Sequence, residues 1–426
     1  MKTNIASSAN IIDKPRPEGD PDLLGIDVYT QALIKLIQRC QMPTTIGIQG
    51  EWGSGKTSML NQIRYQLCES DSLIPEENKQ KPFYGIWINT WQYSLMKTRE
   101  ETLTSILTGL TDEIVAIIKK KHENKTKDVL NQVTGIFGKI VKTTVKATAN
   151  AAGLDGNELI DAFQGSESKA TLLTFKKTLT DAINKCLEED RNQGNNNRGF
   201  LFFIDDLDRI DPPVAVEILE LLKNIFEVDN CIFILAIDYE VVVKGLIPKF
   251  GLLTEKNERE FRSFFDKIIQ LPFSMPIGAY DISNFLLKSL QEISYITLQD
   301  AADGDKTDDL VEIVRKSVGT NPRSLKRLIN TLSLINIIQN TKEAQEIFEQ
   351  KDFYESLINF ALVCIQIAYP KLYDFLVIES EFTAWDLATA KKYNLPEISD
   401  IDSTQIESNE LFEEEWEKVL YRFCSK

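Results

Sequence analysis

Gly50-Glu51-Trp52-Gly53-Ser54-Gly55-Lys56-Thr57 is a glycine-spaced run ending in lysine and threonine. It matches G-x-x-x-x-G-K-[ST], the pattern of a phosphate-binding P-loop. The residues before it, Thr44-Thr45-Ile46-Gly47-Ile48-Gln49, are short and β-branched, as in a buried strand. After it, Ser58 to Leu67 carries apolar residues at helical spacing. A strand, this loop and then a helix form the context that supports the motif. The alternative is an ordinary glycine-rich turn between strand and helix.

The residue types suit the chemistry. Glycines let the backbone approach an anion, and the loop amides and helix N-terminus point at it. Lys56 would add a cation near the β- and γ-phosphates, and the Thr57 hydroxyl would bind Mg²⁺. The candidate nucleotide-binding residues are therefore Gly50, Glu51, Trp52, Gly53, Ser54, Gly55, Lys56, Thr57 and Ser58.

A second signal lies downstream in Phe200-Leu201-Phe202-Phe203-Ile204-Asp205-Asp206-Leu207-Asp208-Arg209. An apolar run reads as a buried parallel strand, and acids at its C-terminal end would face the ligand edge of a doubly wound sheet. The run resembles a Walker B motif, although strand ends are also acidic by chance. In that reading Asp205 holds Mg²⁺, with Thr57, and Asp206 orients or deprotonates the attacking water.

Composition bounds the rest. The chain has 426 residues, 43% hydrophobic and 26% charged, which suits two or three globular domains. Its formal charge of −16 speaks against a surface that grips nucleic acid. Six cysteines form no C-x-x-C pair and His122 is the one histidine, so a zinc site is not expected. Reduced, mostly buried thiols fit a cytoplasmic protein. Met1 to Asp20 has no apolar h-region and no run reaches 18 apolar residues, so neither signal peptide nor membrane span is expected.

Taken in order, residues 1–21 read as loose and polar, with three prolines. Helical patterns follow at Asp27–Cys40, at about Glu100–Lys119 and at about Leu172–Glu188, and strands at Phe83–Asn89, Cys231–Ile237 and Ile268–Phe273. Residues 119–167 read as an insertion with an apolar stripe flanked by lysines, which leaves membrane-surface contact open but not favoured. Asp238 reads equally as a phosphate sensor or as a helix N-cap. Residues 299–309 read as an acidic loop. Arg323, Lys326 and Arg327 share one helical face, and Arg323 suits either a lid cation reaching the γ-phosphate or a solvated basic face. Arg209 reads as aimed away from its own P-loop, beside Asp208 or toward a neighbouring subunit. The tail from Glu397 is acidic and either docks through Trp416 or stays loose.

Together these residues resemble the KAP family of P-loop NTPases, a STAND-like branch of the additional-strand ATPases. Four stretches carry the resemblance: Gly47 to Ser58, Asn89-Thr90-Trp91-Gln92-Tyr93, Ile204 to Arg209, and Asn321-Pro322-Arg323 with Asn330. It covers about Asp20 to Asn330, and loosely Ala368 to Tyr373. It implies an α/β fold, with a parallel central sheet flanked by helices and then an all-helical lid and C-terminal domain. The expected divisions are 1–21, a core over 22–275 and the helical part over 276–426.

The resemblance also implies ATP-dependent switching, often in bacterial defence against phage or plasmids. Many members carry membrane helices where this chain has its charged insertion. Asp206 stands where many ATPases have glutamate, which implies slow turnover. The expected function is thus a Mg²⁺-dependent ATPase switch, homo-oligomeric and working with other protein subunits, with Lys56, Asp206 and Arg323 as catalytic residues. A nucleotide-binding scaffold with little turnover, a nucleic-acid motor and a membrane-surface signalling ATPase are the alternatives. No N-K-x-D guanine signal is present, which leans toward ATP over GTP.

Overall fold

A computed structural model of the chain describes residues 10–17, 20–68, 81–95, 99–122, 166–223, 227–343, 353–392 and 414–424. Most of the 119–167 insertion lies outside the described residues. The chain divides into one unit of Lys14–Asp22 and Ile26–Pro276, and another of Met1–Asp13, Leu23–Gly25 and Ile277–Lys426.

Among the described residues the first unit is built on five strands, β1 (Thr44–Gln49), β2 (Phe83–Asn89), β3 (Gly199–Asp205), β4 (Cys231–Ile237) and β5 (Leu271–Ser274). Their order is β2-β3-β4-β1-β5 and every pairing is parallel. β4 therefore lies between the strand that precedes the glycine loop and the strand that ends in acids. Every residue of β3 and β4 is buried, because both faces of an internal parallel strand are covered. Phe202 and Phe233 stack across these two strands with ring centroids 4.6 Å apart.

Among the described residues β5 is an edge strand paired with β1 alone, a position that tolerates Pro272. It begins later than expected. Ile268 and Ile269 close the preceding helix Glu258–Asp266 instead, their amides bonding to Phe265 O at 2.9 and 2.8 Å.

Helices cover the sheet. α1 (Asp27–Ile37) and α2 (Lys56–Leu67) bracket β1, a five-residue α3 (Thr90–Ser94) follows β2, and α4 (Arg99–His122) comes next. Ile106, Leu110, Ile114 and Ile118 of α4 share a buried cluster with Leu179, Ile183 and Leu187 of the helix Ser166–Asn192 and with Ile86 and Ile88 of β2. Asp190 is fully buried there and accepts hydrogen bonds from Tyr84 Oη and Asn197 Nδ2. Residues 10–17 lack regular structure, but within the first unit Arg16 pairs with Asp22 and Asp27, and Gln62 Nε2 donates to Pro17 O at 2.8 Å.

The second unit is helical. Its longest described helix is Pro322–Glu343, started by Asn321 Oδ1 accepting the Arg323 amide at 3.0 Å. The acidic stretch expected to be a loop instead holds the helices Leu298–Ala302 and Gly304–Lys316. Thr297 and Asp300 form a reciprocal capping box and Asp303 accepts from the Lys306 amide. Acids that suggest a solvated loop are also those that satisfy and complement helix N-termini, and here that role prevails. Of the tail, the helix Glu415–Cys424 docks within this unit, with Val419 buried among Leu372, Phe375 and Trp385, while residues 397–413 lie outside the described residues.

Candidate nucleotide site

Register aligns the C-terminal ends of the strands. Gln49 of β1 pairs with Ile237 of β4, and Asn89 of β2 pairs with Asp205 of β3. The glycine loop leaves this edge directly after Gln49. Gly55 has φ of +100° and caps α2 with no side-chain bond to its amides. A Cβ at Gly50 would lie 2.6 Å from Ser54 Oγ and 2.9 Å from Met275 Cγ, so a larger residue there forces those side chains to shift. Lys56 and Thr57 occupy the first positions of α2, while Trp52 projects from the loop with 59% of its surface exposed. Ser58 Oγ accepts the Arg16 amide at 2.9 Å.

The two sequence motifs meet here. Thr57 Oγ1 donates to Asp205 Oδ1 at 3.3 Å. Lys56 Nζ donates to Gly50 O at 2.7 Å, Glu51 O at 3.1 Å and Asp208 Oδ2 at 3.0 Å. Burial first, and then the neighbouring Asp206 carboxylate, push the Asp205 carboxyl up to about 6. The Asp206 amide and the Thr57 hydroxyl oppose that rise, and Asp208 adds to it.

Asp206 takes φ of +61°, in the left-handed region that is uncommon for a residue other than glycine. This turns the chain sharply after β3 into the three-residue turn Leu207–Arg209. Arg209 folds back onto Asp206, with Nε 2.7 Å from Oδ1, and Asp208 reaches Lys56. Of the two expectations for Arg209, the one that stands it beside Asp208 is thereby corrected: its carboxylate partner is Asp206. Asn89 Nδ2 donates to the other Asp206 oxygen at 2.8 Å, and Thr90 Oγ1 donates to Asp205 O at 2.8 Å. The Arg209 guanidinium lies 5.3 Å from the Trp91 ring centre. The Asn89-Thr90-Trp91 stretch thus braces the acidic end of β3, a part that its sequence does not announce.

Asp238 is an N-cap: its carboxylate accepts the Glu240 amide at 3.1 Å. Arg323 belongs to the helical unit, where its Nε lies 2.8 Å from Asp13 Oδ2. The face it shares with Lys326 is lined by residues 11–13. Lys326 Nζ donates to Ile12 O, and Asn330 exchanges two hydrogen bonds with Ile11.

The donor set fits a hydrated divalent cation beside a polyphosphate. Thr57 and Asp205 supply two adjacent oxygens, and three carboxylates, Asp205, Asp206 and Asp208, face two cations, Lys56 and Arg209. Among the described residues no group of three or more acids, cysteines or histidines forms an all-protein metal cage. Water and phosphate oxygens would complete the shell, as Mg²⁺ prefers.

A parallel sheet with an extra strand between glycine loop and acids, and this loop geometry, define a P-loop nucleotide-binding protein. The family model "KAP family P-loop domain" matches residues 26–338, and the chain belongs to the KAP family of P-loop NTPases. The Phage T7 exclusion protein of Escherichia coli (strain K12) is 23% identical over 306 residues, 67% of this chain and 38% of that protein. The chain therefore spans well under half the length of that relative. Among the described residues no helix is long and apolar enough to cross a membrane.

Proposed function

We infer that the chain binds ATP with Mg²⁺ and hydrolyses it slowly, as a switch within a homo-oligomer or larger protein assembly, in defence against phage. The observation that carries the nucleotide reading is the Thr57–Asp205 contact, which joins the glycine loop to the acidic strand end. Membership of the KAP family and likeness to a phage exclusion protein support the rest.

In this reading the loop amides and the α2 N-terminus hold the phosphates, and Lys56 contacts the β- and γ-phosphates. Thr57 and Asp205 hold the Mg²⁺ ion, which neutralises phosphate charge. Asp206 accepts the proton of the attacking water, and its short side chain makes turnover slow. Arg323 stabilises charge on the transferred phosphoryl group from the helical lid.

A second reading is a nucleotide-binding scaffold with little turnover. It is favoured by one observation: both Asp206 carboxylate oxygens are already engaged, by Asn89 and Arg209. Phosphate release from ATP separates the two. A switch releases phosphate in the presence of Mg²⁺ and loses that release in Asp206→Asn. Equal release from both chains refutes hydrolysis at this site.

A further inference from the structure

The Lys56 ammonium has three protons and three acceptors, the carbonyls of Gly50 and Glu51 and the carboxylate of Asp208. A phosphate oxygen can bond to it only by displacing one of them. The two carbonyls belong to the loop backbone. Asp208 stands on the short turn Leu207–Arg209, and its negative charge repels an incoming phosphate. Both side chains of the Lys56–Asp208 pair are only 7% exposed, so solvent does little to screen that repulsion.

We propose that Asp208 is an internal competitor for the nucleotide's phosphates: it holds Lys56 when the site is empty and leaves when a nucleotide binds. The inference rests on the nucleotide reading of this site. The turn that carries Asp208 also carries Arg209, whose guanidinium is on Asp206 and over Trp91. Departure of Asp208 therefore shifts the turn and frees one Asp206 oxygen from its ion pair. Phosphate arrival and release of the candidate base become one event, and an empty site keeps that base engaged.

The test uses the full chain, with ADP and a non-hydrolysable ATP analogue as probes. Asp208→Asn keeps the shape of the side chain and removes its charge. It is expected to bind the ATP analogue at least about tenfold more tightly than wild type, about 1.4 kcal/mol, with a smaller gain for ADP. Unchanged or weaker affinity overturns the proposal. Lys56→Ala in the same titration separates the two levels. If it binds like wild type, the nucleotide site itself is misassigned. If it loses binding while Asp208→Asn gains nothing, the competition alone fails.

Removing one member of a buried ion pair can unfold a chain, so a measurement on wild type stands beside the variants. In amide hydrogen exchange the peptide over Asp205–Asp211 is expected to exchange faster when nucleotide is added, while the loop over Gly50–Thr57 slows. Slowed or unchanged exchange over Asp205–Asp211, with the loop slowed, refutes the release.

Discussion

Thr57 Oγ1 lies 3.3 Å from Asp205 Oδ1, although 148 positions separate the two residues. Thr57 lies in the first turn of the helix after β1 and Asp205 ends β3, two strands away across β4. The contact forms because parallel strands end on one edge and α2 starts there. It places a hydroxyl and a carboxylate side by side, which is the unit a hydrated cation needs.

From that pairing the two acids are expected to differ. Asp205→Asn should weaken nucleotide binding in Mg²⁺ and leave binding in chelator little changed. Asp206→Asn should retain nucleotide and lose phosphate release, since the amide keeps the shape but takes no proton. Titrations with and without Mg²⁺, combined with a phosphate assay, read both. Identical behaviour of the two variants would refute the division of roles.

Lys56→Ala should cost at least about 2 kcal/mol of nucleotide affinity, some thirtyfold, because it removes a buried charged partner of the phosphates. It also leaves Asp208 buried without its cation, so the empty variant should melt below wild type. Calorimetric titration and a thermal melt measure the two effects separately. Wild-type affinity in this variant would remove the P-loop assignment.

Metal-free stability should carry the mark of Asp205. Its carboxyl rises from 3.8 to about 6 in the folded chain, mainly through burial. The folded state therefore keeps a proton that the unfolded state has released. That contribution is complete below pH 3.8 and is lost as pH rises through about 6. A shift of this size is worth about 3 kcal/mol at most. In chelator, wild-type stability minus that of Asp205→Asn should fall between about pH 4 and pH 7. A difference that is flat or rises over that window would contradict the raised value.

Arg323 and Asp13 form a partly exposed pair within the helical unit. Such a pair is worth about 1 kcal/mol or less, so Asp13→Ala should barely shift the melting temperature. Arg323→Ala, by contrast, should lose phosphate release at every protein concentration. Mixing it with Lys56→Ala reports which subunit supplies the arginine. No recovery is expected for a residue acting on its own chain's nucleotide. Recovered turnover would show action across a subunit boundary, and retained turnover in Arg323→Ala alone would remove the catalytic role.

Much of this molecule is legible in the residues alone. Glycines at 50, 53 and 55 followed by Lys56 and Thr57 specify the loop, since close backbone approach to an anion needs those residue types locally. The apolar runs of β3 and β4 state their own burial, and helical periodicity locates α1 and α4 within a few residues, while the helix Ser166–Asn192 runs six residues earlier and four later than its periodicity suggests. The parallel α/β class follows from the alternation of these patterns.

Charge partners were another matter. The acids at 300 and 303 are helix caps although their composition suggests a loop, because capping depends on one backbone turn and not on net polarity. That Asn89 braces Asp206 depends on β2 pairing with β3 in the register that sets Asn89 beside Asp205. That Arg209 returns to Asp206 while Asp208 reaches Lys56 depends on the left-handed turn at Asp206. Local sequence determined the elements and the loop, because backbone conformation and burial answer to neighbours along the chain. Which charge meets which was decided by strand order, register and one unusual dihedral, so only the folded sheet holds that information.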